Sequence, residues 1–209
     1  MTFVLTRRIM KAYGGGDFVG AVIYGSQRIG KSSYALQVLH QVYEDWDRVL
    51  KYCLFDLRDV VNVLSDAVKK DVKIPALIWD DAGVHGNKML YFSNRRLVEY
   101  LSDLLDVVGT HLGGLLITTP SPAKLLRVIR GYEFYRIKIF RRDESYGRIA
   151  VGYRLSLYPS GAMRIRRVFR DEYRVKIPDD VWDEYQKKRK SYLNVALKNL
   201  GKYLKGGQI

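Results

Sequence analysis

Cysteine is almost absent from this chain of 209 residues: Cys53 stands alone. One thiol cannot close a disulfide within the chain, so a disulfide-stapled secreted scaffold is excluded and a reducing compartment is expected. Long apolar runs are missing too. No stretch approaches the ~18 apolar residues of a membrane span, and Arg7 and Arg8 near the start are not followed by an apolar run of signal length. A soluble, cytoplasmic protein with no membrane partner is the expectation. Asparagine and glutamine are scarce, five of each, while 28% of the residues are charged. That bias is found in proteins from very hot environments. Repeats and low-complexity segments are lacking.

Acidic residues are also scarce, and unevenly so. The chain carries 36 Lys+Arg against 22 Asp+Glu, a net of +14. Residues 1–122 hold 14 basic and 13 acidic residues, whereas residues 123–209 hold 22 and 9. Nearly all the excess therefore lies in the last two-fifths, which suits a polyanion partner. A solubilising shell is the alternative. The mixing of the basic residues with Tyr and Phe, rather than with acids, favours the polyanion. About 209 residues make one large domain, or a core with an appendage, and bury roughly 70% of the unfolded chain's surface.

Periodicity gives the order of elements. Phe18–Tyr24 reads as a buried strand entering a glycine loop, and Lys31 to about Glu44 as a helix. Tyr52–Phe55 is a short second strand, and Asp56 opens a helical run through Leu57, Val60, Val61, Leu64 and Val68. Ala76–Trp79 is a third strand ending in two acids. Leu97, Leu101, Leu104 and Val108 form one helical stripe. Leu115–Thr119 is a fourth strand stopped by Pro120; a short helix around Lys124–Ile129 and a fifth strand, Phe134–Phe140, follow. Strands alternating with helices predict an α/β fold with a five-stranded, mostly parallel sheet. After Arg141 the pattern changes to a hairpin, Arg148–Leu157 and Ala162–Arg170 around Tyr158-Pro159-Ser160-Gly161. A last helix starts at Pro178-Asp179-Asp180, with an apolar stripe of Trp182, Tyr185, Tyr192, Ala196, Leu200 and Tyr203 and with Lys198, Lys202 and Lys205 at its end. The expected division is a core, 1–141, and a basic hairpin-plus-helix appendage, 142–209.

Gly25-Ser26-Gln27-Arg28-Ile29-Gly30-Lys31-Ser32 fits G-x-x-x-x-G-K-[ST] throughout, after a buried strand and opening a helix. The glycines let backbone N–H groups curl round a phosphate, and the helix N-terminus adds partial positive charge. Lys31 reaches the β- and γ-oxygens and Ser32 ligates Mg²⁺. Residues Gly25–Ser33 are the expected ATP-binding segment. Arg28, at a variable position, either touches phosphate or faces solvent. Mg²⁺ needs an outer carboxylate at the tip of a neighbouring hydrophobic strand, and Asp80 supplies it; Asp81, next to it, is placed to orient the attacking water. Thr118 and Thr119 are placed to hydrogen-bond the γ-phosphate or that water, or else simply end their strand. His40, His85 and His111 are isolated, so no metal other than Mg²⁺ is expected. Cys53 reads as a packing residue.

These residues resemble the P-loop ATPases of the additional-strand division, which includes the AAA+ proteins, over roughly the first 130 residues. Leu77-Ile78-Trp79-Asp80-Asp81-Ala82-Gly83 is similar to the Asp-Asp-x-Gly of the DnaC/IstB helicase loaders. The length and basic tail look like the small ATPases of archaeal viruses and plasmids. The resemblance implies ATP hydrolysis in a homo-oligomer, with an arginine before the fifth strand reaching a neighbour's nucleotide. Arg127 and Arg130 lie there; Arg95 and Arg96 are a second pair, or a polar helix face. The four-helix lid of AAA+ proteins has no counterpart in the pattern.

For the polyanion, Arg136 and Lys138 share one strand face and Arg164 and Arg166 another, with Arg154 between them in sequence. Such strands, with Tyr153, Tyr158 and Phe169 nearby, suit sequence-independent contact with DNA phosphates. The run Lys187-Lys188-Arg189-Lys190 either adds to this surface or is a solvated helix face. No motif for reading bases is present. An ATPase acting on or with DNA, as motor, loader or packaging machine, is expected. Its alternatives are a small-molecule phosphotransferase and a nucleotide switch with negligible turnover.

Overall fold

In the computed structural model, residues 2–82, 95–142, 146–161 and 163–204 are described below. Helix α1 (Val4–Gly14) leads into β1 (Val19–Tyr24), the glycine loop and α2 (Lys31–Tyr43). Then come α3 (Trp46–Lys51), β2 (Cys53–Leu54), α4 (Leu57–Lys69), β3 (Leu77–Trp79) and α5 (Arg95–Val107). The chain continues with β4 (Gly114–Thr119), the short α6 (Arg127–Gly131), β5 (Tyr135–Arg141), β6 (Gly147–Leu157), β7 (Met163–Arg174) and α7 (Asp179–Leu204).

All seven strands form one sheet, in the order β2-β3-β4-β1-β5-β6-β7. The first five run parallel; β6 and β7 join antiparallel. The fold is thus α/β and mostly parallel, as expected, but the hairpin extends the core sheet. The reason lies in the register: Arg136–Arg141 of β5 pair continuously with Tyr153–Arg148 of β6, so the fifth strand is not an edge. The chain forms two compact units, Met1–Lys176 and Ile177–Ile209.

Both sheet faces are covered around β1. On one side Val60 and Leu64 of α4, Val98, Leu101 and Leu105 of α5 and Ile129 of α6 pack with Val22, Trp79, Leu115 and Ile117. On the other lie α1 and α2, where Leu5, Ile9, Tyr34, Leu36 and Leu39 are fully buried. Helix α1 is additional to the expected elements, although Leu5, Ile9 and Ala12 keep helical spacing; it sits against β4, where a Cβ on Gly114 would come 3.0 Å from Ile9. The six-residue α3 is additional as well, capped by the Asp45 carboxylate on the N–H groups of Asp47 and Arg48.

The segment after β4 also differs from expectation. A 3₁₀ turn, Pro122–Lys124, and α6 are separated by Leu125 and Leu126, whose burial at 0% and 2% outweighs helix continuation. Gly83 and His85 lie outside the described residues.

The second unit, Ile177–Ile209, is built on α7. Asp179 and Asp180 occupy its first turn, and Trp182 stacks on Tyr185 at 5.0 Å between ring centroids. Val181 and Tyr185 are buried, while Leu193, Val195 and Leu197 are exposed. The side chains of Ala196, Leu200, Lys202 and Tyr203, and all of Lys205, lie outside the described residues. No helix among the described residues is long and apolar enough to cross a membrane.

Candidate functional site

The glycine loop follows β1, where the C-terminal ends of β1, β3 and β4 converge. Gly25 (φ +152°), Arg28 (φ +59°) and Gly30 (φ +106°) give it its tight path, closed by the Ile29 N–H on the Ser26 carbonyl at 3.4 Å. At Gly30 a side chain would be strained by φ and would also come 3.0 Å from Val175 Cγ1 and 3.2 Å from Tyr173 Oη. Lys31 is 7% exposed, and its ammonium donates to the carbonyls of Gly25 (3.1 Å) and Ser26 (2.8 Å), across the mouth of the loop. Ser26, Gln27 and Arg28 are exposed, and Ile29 is buried. Ser33 is buried, and its hydroxyl accepts from Gln37 Nε2 at 3.2 Å, on the helix side of the loop.

Asp80 is fully buried at the end of β3. Its Oδ1 accepts from Ser32 Oγ at 3.1 Å and from Thr118 Oγ1 in a short hydrogen bond. The strand order explains this pairing. β4 lies between β3 and β1, so Thr118 stands between the acid and the loop, and Asp80 comes from the second strand over rather than from the adjacent one. Thr118 Oγ1 also accepts from the Asp81 N–H at 2.9 Å, and the Ala82 N–H donates to the Thr118 carbonyl at 3.0 Å. Asp81 turns into the left-handed region at φ +50°, which takes its partly exposed carboxylate out of the strand's alternation. Thr119 is placed differently: its hydroxyl donates to the Ser121 carbonyl at 3.0 Å and so closes the turn after β4.

The donor set suits Mg²⁺. A buried carboxylate and a serine hydroxyl are hard oxygen ligands, and two neighbouring ligands of an octahedral Mg²⁺ at about 2.1 Å lie about 3 Å apart, close to the 3.1 Å between Ser32 Oγ and Asp80 Oδ1. Among the described residues no cluster of three or more His, Cys, Asp or Glu side chains offers a metal an all-protein cage.

Three residues from outside the motif hold the loop and its helix, and sequence reasoning missed all of them. Arg148, at the start of β6 and 8% exposed, donates from Nε to the Ile29 carbonyl at 2.9 Å. Tyr173, its register partner on β7, donates to the Gly30 carbonyl at 2.9 Å. Burial raises the Tyr173 phenol, against the lowering effect of Arg148, so the hydroxyl stays a donor at neutral pH. Asp171, also buried, accepts from the Val4 N–H (2.7 Å), the Leu5 N–H (3.4 Å) and the Tyr34 hydroxyl (2.7 Å). It therefore caps α1 from across the fold and ties α2 to β7; burial, together with the same carboxylate, holds the Tyr34 phenol well above its usual range. In the sequence only Arg148 marks the start of an expected strand; Asp171 and Tyr173 fall past the expected strand end at Arg170, whereas β7 runs on to Arg174.

The basic residues expected to meet DNA fall on two faces. Arg154 is paired with Arg166, and Ser156 with Arg164, so Arg154, Arg164 and Arg166 share one face near the hairpin turn, all exposed. Arg164 lies over the Tyr158 ring at 5.2 Å, and Arg166 donates to the Tyr158 hydroxyl at 3.2 Å. Arg136 and Lys138 pair with Tyr153 and Val151 and so occupy the opposite face. Lys138 is exposed, but Arg136 is half-buried and donates to the Arg130 carbonyl at 2.6 Å, its Nη1 buried without a hydrogen-bond partner among the described residues. Burial holds its guanidinium below its usual pKa. Arg136 is thus committed to the end of α6, and the two sets do not make one continuous track. Arg127 and Arg130 are exposed on α6; Arg96 is exposed on α5, while the Arg95 side chain lies outside the described residues. Lys187–Lys190 form an exposed run on α7.

No family model matches the chain. It is 29% identical over 218 residues to the uncharacterized protein B-251 of Sulfolobus spindle-shape virus 1, covering 96% of this chain and 85% of that protein. It is also 29% identical over 175 residues to the uncharacterized ORF286 of Acidianus two-tailed virus, covering 83% of this chain and 59% of the other. Among solved structures it is similar to the N-terminal domain of zonular occludens toxin from Neisseria meningitidis (TM-score 0.42, 11% identity, 79% of this chain and 97% of that one). It is also similar to the genome packaging NTPase B204 of Sulfolobus turreted icosahedral virus 2 in complex with ATP-gammaS (TM-score 0.38, 16% identity, 74% and 98%). The relatives by sequence are viral.

Proposed function

We propose that this chain is a Mg²⁺-dependent ATPase that acts on DNA, as a motor, loader or packaging machine, in an assembly of several copies. The observation that carries the reading is the linked set Ser32–Asp80–Thr118 beneath a loop that holds the Lys31 ammonium across its mouth. Backbone N–H groups of the loop and Lys31 bind the phosphates, Ser32 and Asp80 hold Mg²⁺, and Thr118 fixes the Asp80 carboxylate while presenting the Asp81 turn. When bound, Mg²⁺ neutralises charge on the β- and γ-oxygens. Asp81 positions the attacking water. Arg127 or Arg130, exposed before β5, reaches the nucleotide of a neighbouring copy. Arg154, Arg164 and Arg166 contact DNA phosphates without reading bases.

The Asp80-Asp81-Ala82 run supports the loader type, and the two relatives by sequence are consistent with a viral setting. A nucleotide switch is the second reading; the Thr119 hydroxyl, spent on the Ser121 carbonyl, favours it by leaving fewer groups to order water. Phosphate release measured with and without random-sequence DNA, over a range of protein concentrations, decides between them. Stimulation by DNA and by self-association supports the ATPase. Slow turnover indifferent to both leaves the switch, and phosphate transfer to a nucleotide or metabolite instead of water would indicate the phosphotransferase.

A further inference from the structure

The loop's phosphate-binding amides are aimed by contacts that come from the far edge of the sheet. In a trans peptide the carbonyl and the following N–H point in opposite directions. The Ile29 carbonyl shares its peptide with the Gly30 N–H, and the Gly30 carbonyl shares its peptide with the Lys31 N–H. Arg148 Nε holds the first carbonyl outward at 2.9 Å, and Tyr173 Oη holds the second at 2.9 Å, alongside the α2 bond from the Tyr34 N–H at 3.0 Å. The two N–H groups are thereby directed to the opposite side of the loop.

We propose that Arg148 and Tyr173 are positioning residues of the nucleotide site: as a pair facing each other on β6 and β7, they preset the Gly30 and Lys31 amides for the β-phosphate. This rests on the reading of the loop as a nucleotide site, and it adds a role for the hairpin that the motif does not contain. Both anchors are themselves well fixed. Tyr173 is 6% exposed and packs on the Tyr34 ring at 5.1 Å and on Phe3 at 6.4 Å, and Arg148 also donates to the Gly147 carbonyl at 2.8 Å. Val175 closes on Gly30 from the same strand end, and Gln37 of α2 donates to the Arg174 carbonyl at 2.8 Å, so the end of β7 is stitched to both the loop and the helix it opens. A loop whose carbonyls are untethered must order itself on binding, and the affinity then falls by that ordering free energy.

The test uses the full chain with ADP and ATP-gammaS as probes, and AMP, which lacks a β-phosphate, as the control. Tyr173→Phe keeps the ring and removes only the donor; Arg148→Met keeps the stem and removes the guanidinium. Each is expected to weaken ADP and ATP-gammaS binding by about 3- to 10-fold, the scale of one hydrogen bond, and the double variant by more than either. AMP binding, however weak, should not change between variants. Tyr173→Phe should keep an apo melting temperature close to wild type. Full-strength ADP and ATP-gammaS binding by both variants overturns the proposal. Equal losses for AMP and ADP would also overturn it, since the effect would then be general damage to the site. A wild type that binds no nucleotide would instead overturn the nucleotide reading itself, before the variants are compared.

Discussion

The two ends of the β6–β7 hairpin have similar composition and opposite surroundings. At the open end Arg148 and Tyr173 are buried against the glycine loop, each hydrogen-bonded to a main-chain carbonyl. Near the turn Arg154, Arg164 and Arg166 are exposed around Tyr158, and Ile165 is 66% exposed. From Arg148 to Ser156 is about 26 Å of strand at ~3.3 Å per residue, with a bulge between Gly152 and Tyr153 that leaves Val168 unpaired. Positive charge therefore meets two surroundings in one hairpin: at one end a guanidinium is buried against main-chain carbonyls, at the other three are exposed around a phenol ring. Residue type alone does not distinguish them; what surrounds each arginine does.

The largest expected effect tests whether the far end of the sheet also serves a neighbour. α6 sits where β5 begins, opposite the glycine loop. If an arginine there reaches the next copy's nucleotide, Arg127→Ala or Arg130→Ala should lower turnover by about 10³–10⁵-fold without weakening nucleotide binding by the same copy. Mixing the variant with Lys31→Ala chains should restore part of the activity, because each supplies what the other lacks. Turnover that is flat on dilution and insensitive to both substitutions would confine the chemistry to a single chain.

Next come the loop residues themselves. Asp80→Asn should cut Mg²⁺-dependent turnover by on the order of 10²–10³-fold while retaining part of the nucleotide binding. Lys31→Ala should lose binding and turnover together. Activity near wild type in Lys31→Ala would remove the site assignment.

Much of this site was legible because its parts are contiguous: the loop motif needs only eight residues in a row, and Asp80 follows an apolar run. The five parallel strands were readable for the same reason, each being a short buried run bounded by turn residues. The supports were not legible. Arg148, Asp171 and Tyr173 lie more than a hundred residues from the groups they hold; Arg148 looks like any other polar residue of an alternating strand, and Asp171 and Tyr173 fall past the strand end expected at Arg170. Arg136 shows the converse. It reads as one more basic strand residue, yet its guanidinium is turned inward to the Arg130 carbonyl. That the strands after residue 141 continue the core sheet was not legible, because a change from helix-alternating to all-strand pattern does not reveal which sheet the new strands join.

A smaller effect bears on the turn end of the hairpin. Replacing Arg164 and Arg166 by Glu should weaken binding to random-sequence duplex DNA and flatten the log–log salt dependence by about 1.8, at ~0.9 for each phosphate that an arginine neutralises. Nucleotide affinity should stay within about 2-fold, since roughly 20–26 Å of strand separate these residues from the loop-facing end of the hairpin. Fluorescence anisotropy at several salt concentrations reads the slope. An unchanged slope would move the DNA-binding surface to Lys187–Lys190, and wild-type protein that binds no DNA at low salt would assign the basic excess to a protein partner or to solubility.

The smallest effect separates the two kinds of support at the open end. Tyr173 touches the loop, whereas Asp171, two residues earlier on the same face, touches α1 and the Tyr34 hydroxyl. Asp171→Asn keeps a similar shape but turns an acceptor-only group into one with an NH₂ that must face donors. A buried site with three donors cannot satisfy it, so stability should fall by about 1–3 kcal/mol. For a chain of this size that lowers Tm by roughly 2–4 °C per kcal/mol. Nucleotide affinity of the folded variant should remain within about 2-fold, because the Ile29 and Gly30 carbonyls keep their donors. If Asp171→Asn instead weakens ADP binding as much as Tyr173→Phe does, then the end of β7 acts as a single support and the loop is set by the position of the whole strand rather than by two hydrogen bonds.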